Sequence, residues 1–196
     1  SWETMPLSLA QDSESADVTT DQVDVGAGTT EADYTGKEVR GKIVLASSQP
    51  GEVARLAVER HGAAGIVSYA QNQRTAWWGE DENLVRWGHL SSFATTPTFA
   101  FMVSLKQARE FQGRLARGER IRLEATVRAG RHAGAYEVVE ATIPGTDPQL
   151  KGEEIVYSCH LDHPRPGAND NASGAAAILE VARTLSKLVR EGRIPP

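Results

Sequence analysis

The chain has 196 residues and a formal net charge of -5, with 40% hydrophobic and 24% charged residues, which is ordinary for a globular protein. Its 21 lysine and arginine residues are spread along the chain, so the basic patch of a nucleic-acid-binding protein is missing. No apolar run approaches the ~20 residues of a membrane-spanning helix, and the single cysteine, Cys159, excludes both an internal disulfide and a multi-cysteine zinc site. We therefore expect neither nucleic acid nor a membrane as a partner.

The first part of the chain predicts one strand-helix-strand unit after an irregular start. Residues 1–20 are polar with scattered apolar positions, and we interpret them as a lead-in with little regular structure. The run GKIVLAS at 41–47 predicts a buried strand. A short amphipathic helix follows and ends at Gly62, before a second strand at 66–69. The apolar positions that predict this helix are Val53, Leu56, Ala57 and Val58.

Residues 70–95 form a long stretch without a clear hydrophobic period. The stretch holds Trp77, Trp78 and Trp87. Long loops of this kind are often functional, but we interpret the three indoles as side chains that fasten an irregular loop to the core.

The next segment predicts a strand, a helix and another strand. The run PTFAFMV at 97–103 is typical of a strand, and Ser104 with Gln107 forms a capping-box pattern ahead of a helix that ends at Gly118. Apolar and polar residues alternate strictly over 120–128, which predicts a half-exposed strand. The small, polar residues 129–135 are the best candidate for a linker, after which YEVVEATI and EIVYSCH predict two further strands.

A candidate metal site lies near the end of the chain, between a strand and a helix. His160 follows the predicted strand 155–159, and Asp170 comes ten residues later, just before the predicted helix. Strand ends and helix starts meet at the same rim of an α/β sheet, so these two side chains can share one metal ion. Asp162 can contact the other ring nitrogen of His160 and fix its tautomer. A carboxylate at Asp170 has two oxygens, which suits a bridge between two zinc ions.

The small residues around Asp170 also admit a reading without any metal. Gly167, Ala168, Ala172 and Gly174 leave room for close approach of backbone and ions, and we expect Asn169 or Asn171 to cap the helix. Asp and Asn are favoured N-caps on their own account, however. A catalytic zinc needs three protein ligands, and the sequence does not identify the others.

The remaining histidines and the cysteine carry less chemistry. His61, His89 and His132 have no partner at ligand spacing, so we expect surface or capping roles for them. Cys159 stands in an apolar run, which favours a buried and inert thiol.

The segment VYSCHLDHPRPGANDNASGAAAILEVARTL resembles the first metal-binding segment of the M28 zinc aminopeptidases. The shared pattern is an apolar strand, H-x-D, a short loop, and G-A-x-D-N-x-S-G before a helix. The resemblance implies that His160 binds one zinc ion, that Asp170 bridges two, and that Asp162 orients His160. His163 stands where the family often has serine. It is either an extra ligand or a substrate-side group, or else, as we expect, an ordinary exposed loop residue.

Two further stretches, YTGKEVRGKIVLAS and AVERHGAAGIVSY, look like parts of a protease-associated domain. The expected organisation is a lead-in at 1–20, a protease-associated α/β domain with a small mixed sheet and short helices at 21–130, and the first strands and helix of an M28-like α/β/α peptidase domain at 131–196. Many M28 enzymes carry both parts.

The resemblance also implies that the chain is an inactive fragment of a zinc exopeptidase that acts on peptides. The sequence stops before the region where the family carries its adjacent glutamates and its later ligands. An aminopeptidase is the leading expectation, and the family favours a secreted or periplasmic protein. A carboxypeptidase of the same metal chemistry and a non-enzymatic peptide-binding module remain open. The truncated sheet, together with the helix face formed by Ile178, Ala182, Leu185 and Val189, predicts self-association.

Overall fold

The computed structural model describes residues 8–70, 81–130, 132–163 and 167–195. The chain divides into two compact units, Ser1–Ala133 and Gly134–Pro196. The described elements of the first unit, in chain order, are β1 (Ala16–Asp24), a 3₁₀ turn (Glu31–Tyr34), β2 (Ile43–Ala46), α1 (Pro50–Ala57), β3 (Gly65–Ser68), β4 (Ala100–Met102), α2 (Leu105–Ala116) and β5 (Arg122–Val127).

The five strands form one mixed sheet in the order β4-β3-β2-β1-β5. Strands β1 to β4 are parallel, with Gln22 opposite Ile43 in the register of β1 and β2. Strand β5 closes the edge antiparallel to β1, with Ala16 opposite Val127. The expected α/β class with a small mixed sheet and short helices is confirmed.

The two faces of the sheet carry separate hydrophobic cores. Side chains alternate along a strand, so Val44 and Ala46 of β2 face one way while Ile43 and Leu45 face the other. The first face packs against α1, and the second packs against α2 through Ala108. The helices therefore cover opposite sides of the sheet, as parallel strands require.

The predicted ends of α2 match the observed ones closely, whereas α1 ends at Ala57, five residues before the Gly62 that was expected to end it. Helix α2 begins at the capping box, where the Ser104 hydroxyl accepts from the backbone amide of Gln107 at 3.2 Å and the side-chain Oε1 of Gln107 accepts from the backbone amide of Ser104 at 3.2 Å. Gly62 and Gly118, which follow α1 and α2, both have positive φ, the conformation that favours glycine after a helix.

Strand β1 lies partly inside the segment predicted to be irregular. It begins at Ala16 and is paired on both sides, with β2 and with β5. Its threonines and aspartates hide the strand signal, because only Ala16, Val18 and Val23 of this strand pack against the two cores. The described residues just before β1 also contact the rest of the unit, since the Ala10 amide donates to the Ala100 carbonyl at 2.9 Å.

Trp87 does not anchor its loop in the core. Its side chain is 53% exposed and stacks on His89, with ring centroids 5.1 Å apart. The prediction that the indoles fasten this loop to the core is therefore wrong for Trp87. Trp77 and Trp78 lie outside the described residues.

The second unit contains α3 (Ser173–Arg190), preceded by an irregular turn at Ala168–Ala172. The described residues from 134 to 163 include no strand, so the strands expected at 136–143 and 155–159 are not formed. A strand needs a neighbour for its backbone hydrogen bonds, and no described segment of this unit pairs with them. Cys159 is consequently exposed, and the expectation of a buried thiol is wrong. Within the ranges described, no helix has the length and apolar character to cross a bilayer.

Candidate metal site

The irregular turn before α3 turns Asp170 toward the preceding extended segment. Asp170 and Asn171 have non-helical backbone angles inside this turn, and the peptide bond between them is cis. The Ala172 amide donates to the Gly167 carbonyl at 3.1 Å and closes the turn. The carbonyl of Asp170 also lies close to Gly167. A glycine is needed there, because a Cβ at that position would collide with this carbonyl.

No described side chain hydrogen-bonds at the N-cap of α3, so the prediction that Asn169 or Asn171 caps the helix is wrong. The Ser173 hydroxyl instead donates to the Asn169 carbonyl at 3.1 Å. Asn171 lies against Gly174, where an added Cβ would collide with the amide oxygen of Asn171. The small residue at 174 thus makes room for an asparagine side chain.

His160 and Asp170 lie side by side in the structure. The Nε2 atom of His160 is 2.7 Å from Oδ1 of Asp170, which is hydrogen-bond distance. The other ring nitrogen, Nδ1, is 2.7 Å from the backbone carbonyl oxygen of Asp162. The two residues that the sequence singles out as ligands are therefore neighbours, and their roles as ligands remain predictions.

Asp162 contacts His160 through its backbone more closely than through its side chain. The carboxylate Oδ1 of Asp162 is 3.8 Å from Nδ1, beyond hydrogen-bond distance. A carbonyl acceptor at Nδ1 still fixes the tautomer, because it requires the proton to be on Nδ1 and leaves the lone pair on Nε2. The orienting contact predicted for the carboxylate is thus made here by the main chain of the same residue.

The surroundings of His160 favour its protonated form. The hydrogen bond to the Asp162 carbonyl raises the pKa of the imidazole above its ordinary value, desolvation opposes this, and Asp170 raises the pKa further. A metal ion that binds this ring must displace the proton, since the neutral imidazole is the ligand.

Imidazole nitrogen and carboxylate oxygen are the donor types that zinc takes, so His160 and Asp170 fit a zinc ion in kind. Across the described ranges no group of three or more His, Cys, Asp or Glu side chains is arranged to hold a metal ion. The site therefore falls short of the three protein ligands of a catalytic zinc.

Three other histidines, His61, His89 and His132, contact neighbouring residues of the first unit. His61 lies 3.1 Å from a Glu31 carboxylate oxygen and stacks on Tyr34. His89 stacks on Trp87, and His132 contacts the Ala133 carbonyl.

Residues 138–193 match the family model of peptidase family M28, so the resemblance noted for this part of the chain is confirmed. The match covers less than a third of the chain and includes His160, Asp162 and Asp170. No curated protein sequence matches the chain.

Two solved structures are similar to parts of the chain. The aminopeptidase from Aneurinibacillus sp. strain AM-1 is 25% identical, with a TM-score of 0.46, over 60% of this chain and 26% of that one. A zinc aminopeptidase from Bacillus subtilis is 21% identical, with a TM-score of 0.41, over 53% of this chain and 24% of that one. The chain thus spans about a quarter of the length of each.

Proposed function

We propose that the chain is part of a zinc-dependent exopeptidase that removes residues from the amino termini of peptides. The observation that carries the proposal is the 2.7 Å approach of His160 to Asp170 inside the segment that matches peptidase family M28. A histidine and an aspartate ten residues apart meet only because the turn at 168–172 brings the carboxylate back to the imidazole.

In this proposal His160 and Asp170 hold metal. The Asp162 carbonyl keeps the proton on Nδ1 of His160, so that Nε2 presents its lone pair. Asp170 offers two carboxylate oxygens, one for each of two ions. Zinc, when bound, would lower the pKa of a bound water to ~7 and polarise the scissile carbonyl. The general base and the remaining ligands would come from sequence that follows this chain.

The first unit would be a protease-associated domain at 21–130, followed by the peptidase segment at 131–196. Strand β1 begins at Ala16, so such a domain would also take up the end of the predicted lead-in. The mixed sheet with helices on both faces is compatible with this assignment.

The decisive experiment assays the protein encoded by the whole gene on aminoacyl nitroanilides. We expect hydrolysis that a chelator abolishes and added zinc restores. We also expect Asp170→Asn to lower kcat/KM by about 100-fold or more, because even residues that only orient metal ligands are worth 10–100-fold. The matched control Asp17→Asn changes an exposed carboxylate in the first unit and should keep full activity.

Three outcomes would contradict the proposal in different ways. Activity that survives both the chelator and Asp170→Asn would rule out the metal site. Cleavage of amino-terminally blocked peptides from their carboxyl ends would identify a carboxypeptidase. A gene that lacks a glutamate pair and further Asp and His codons downstream, together with an inactive product, would favour the peptide-binding module.

The chain by itself should be inactive and should hold zinc only weakly. His160 and Asp170 provide fewer than the three protein ligands of a catalytic zinc. Metal analysis after incubation with equimolar zinc and gel filtration should find little zinc, whereas tight stoichiometric retention would show that the chain holds a complete site.

A further inference from the structure

His163 lies at the candidate metal site, although the sequence favours an ordinary loop position for it. Its side chain is the least exposed of the four polar side chains there, at 33%, compared with 48% for His160, 68% for Asp170 and 97% for Asp162. The ring packs over Gly167, where an added Cβ would lie 3.3 Å from Nδ1 of His163. Because Gly167 has no side chain, it leaves space for the imidazole of His163.

The two oxygens of Asp170 face different imidazoles. Oδ1 is 2.7 Å from Nε2 of His160, and Oδ2 is 3.6 Å from Nε2 of His163. The second distance is too long for a hydrogen bond. It is close to the separation of two ligand atoms on one tetrahedral zinc ion, about 3.3 Å for metal-ligand distances of about 2.0–2.1 Å.

We propose that His163 is a zinc ligand on the Oδ2 side of Asp170. Each oxygen of Asp170 then shares an ion with a different imidazole, His160 on one side and His163 on the other. This inference rests on the proposed zinc site and adds to it a side chain that the H-x-D and G-A-x-D-N pattern does not include.

The test observes the imidazoles directly, without enzyme activity. Long-range proton-nitrogen NMR spectra of the nitrogen-15-labelled chain resolve the ring nitrogens of its five histidines. Zinc chloride is added to several-fold excess at one neutral pH. We expect the Nε2 signals of both His160 and His163 to shift toward metal-bound values. The signals of His61, His89 and His132 serve as internal controls and should stay in place.

Two variants and one control separate the two ions. In His160→Ala the zinc-dependent shift of His163 should persist, and in His163→Ala that of His160 should persist. The control His132→Ala, which removes an exposed ring in the first unit, should keep both shifts.

The outcomes also separate this inference from the proposed function. If His160 shifts while His163 does not, the inference is overturned and the zinc site stands. If the His163 shift disappears in His160→Ala, both rings serve one ion and the two-sided arrangement is overturned. If neither ring responds to zinc in excess, this inference is overturned, and the chelator and Asp170→Asn assays on the whole protein decide the proposed function.

Discussion

Tyr34 shows how one buried polar side chain fixes an otherwise irregular loop. Its ring is buried and stacks on His61 at 4.5 Å between centroids, and its hydroxyl donates to the Gly28 carbonyl at 2.7 Å. Gly28 has positive φ, and a Cβ there would crowd Val25 and Val53. The tyrosine hydroxyl therefore gives the Gly28 carbonyl a buried hydrogen-bond donor.

The Tyr34 hydroxyl should also make stability fall at alkaline pH. Burial, followed by the nearby charges of Asp33 and Glu31, raises the pKa of Tyr34 to about 12, compared with about 10 in the unfolded chain. Between these values the unfolded state releases a proton that the folded state keeps, so the free energy of unfolding falls as the pH rises. This contribution is fully present below about pH 10 and is lost as the pH rises through about 12.

Tyr34→Phe tests both effects. Near neutral pH it should lower the free energy of unfolding by about 1–3 kcal/mol, because the Gly28 carbonyl loses its donor. The deficit should shrink above about pH 10, since phenylalanine has no proton to release. Urea unfolding followed by tryptophan fluorescence measures this, and Tyr136→Phe at a fully exposed position is the control. A deficit that stays constant with pH would show that the Tyr34 pKa is not raised.

Among the helices and strands, α2 is the element whose first residue the sequence predicts most clearly. The reciprocal hydrogen bonds of Ser104 and Gln107 satisfy amides that the first turn leaves without partners. Ser104→Ala should lower the free energy of unfolding of the first unit by about 1 kcal/mol. Lys106→Ala in the same turn removes no cap and should change it by less than about 0.5 kcal/mol.

Tryptophan fluorescence is the appropriate measurement, because all four tryptophans lie in the first unit. Equal effects of Ser104→Ala and Lys106→Ala would show that the capping box does not stabilise α2.

Elements whose signals are local could be predicted, and those that depend on partners could not. The run at Ile43–Ala46 is apolar throughout because both faces of β2 are covered, so composition alone reveals it. Strand β1 reads as irregular because its threonines and aspartates carry little apolar signal. The run at 155–159 reads as a strand, but sequence does not show whether a neighbouring strand is at hand to pair with it.

The candidate metal site also has features that the sequence predicts and features that it does not. The spacing of His160 and Asp170 is visible in the sequence, and the structure brings their side chains together. The place of His163 could not be predicted, because it depends on the fold of the turn over Gly167. The backbone contact from Asp162 to His160 could not be predicted either, since any residue type supplies a carbonyl.

At the scale of the whole molecule, the two units differ in how much apolar surface they cover. The first unit buries its large apolar side chains on both faces of the sheet. In the second unit α3 buries no described residue, and many large apolar side chains are exposed. These include Tyr136, Val138, Val139, Ile155, Val156, Tyr157, Leu161 and Leu179. Large apolar side chains exposed in this number favour coverage by another polypeptide.

We therefore expect the chain to self-associate as its concentration rises, with α3 in the contact. Burying one leucine is worth about 1.5–3 kcal/mol, so several such side chains suffice for a weak dimer. Leu185→Glu places a charge on the apolar face of α3 and should raise the dissociation constant at least about 10-fold. Thr184→Glu adds the same charge at the neighbouring exposed position and should leave association nearly unchanged. Sedimentation velocity over a concentration series measures both, and a chain that stays monomeric throughout would show that this face has no affinity for itself.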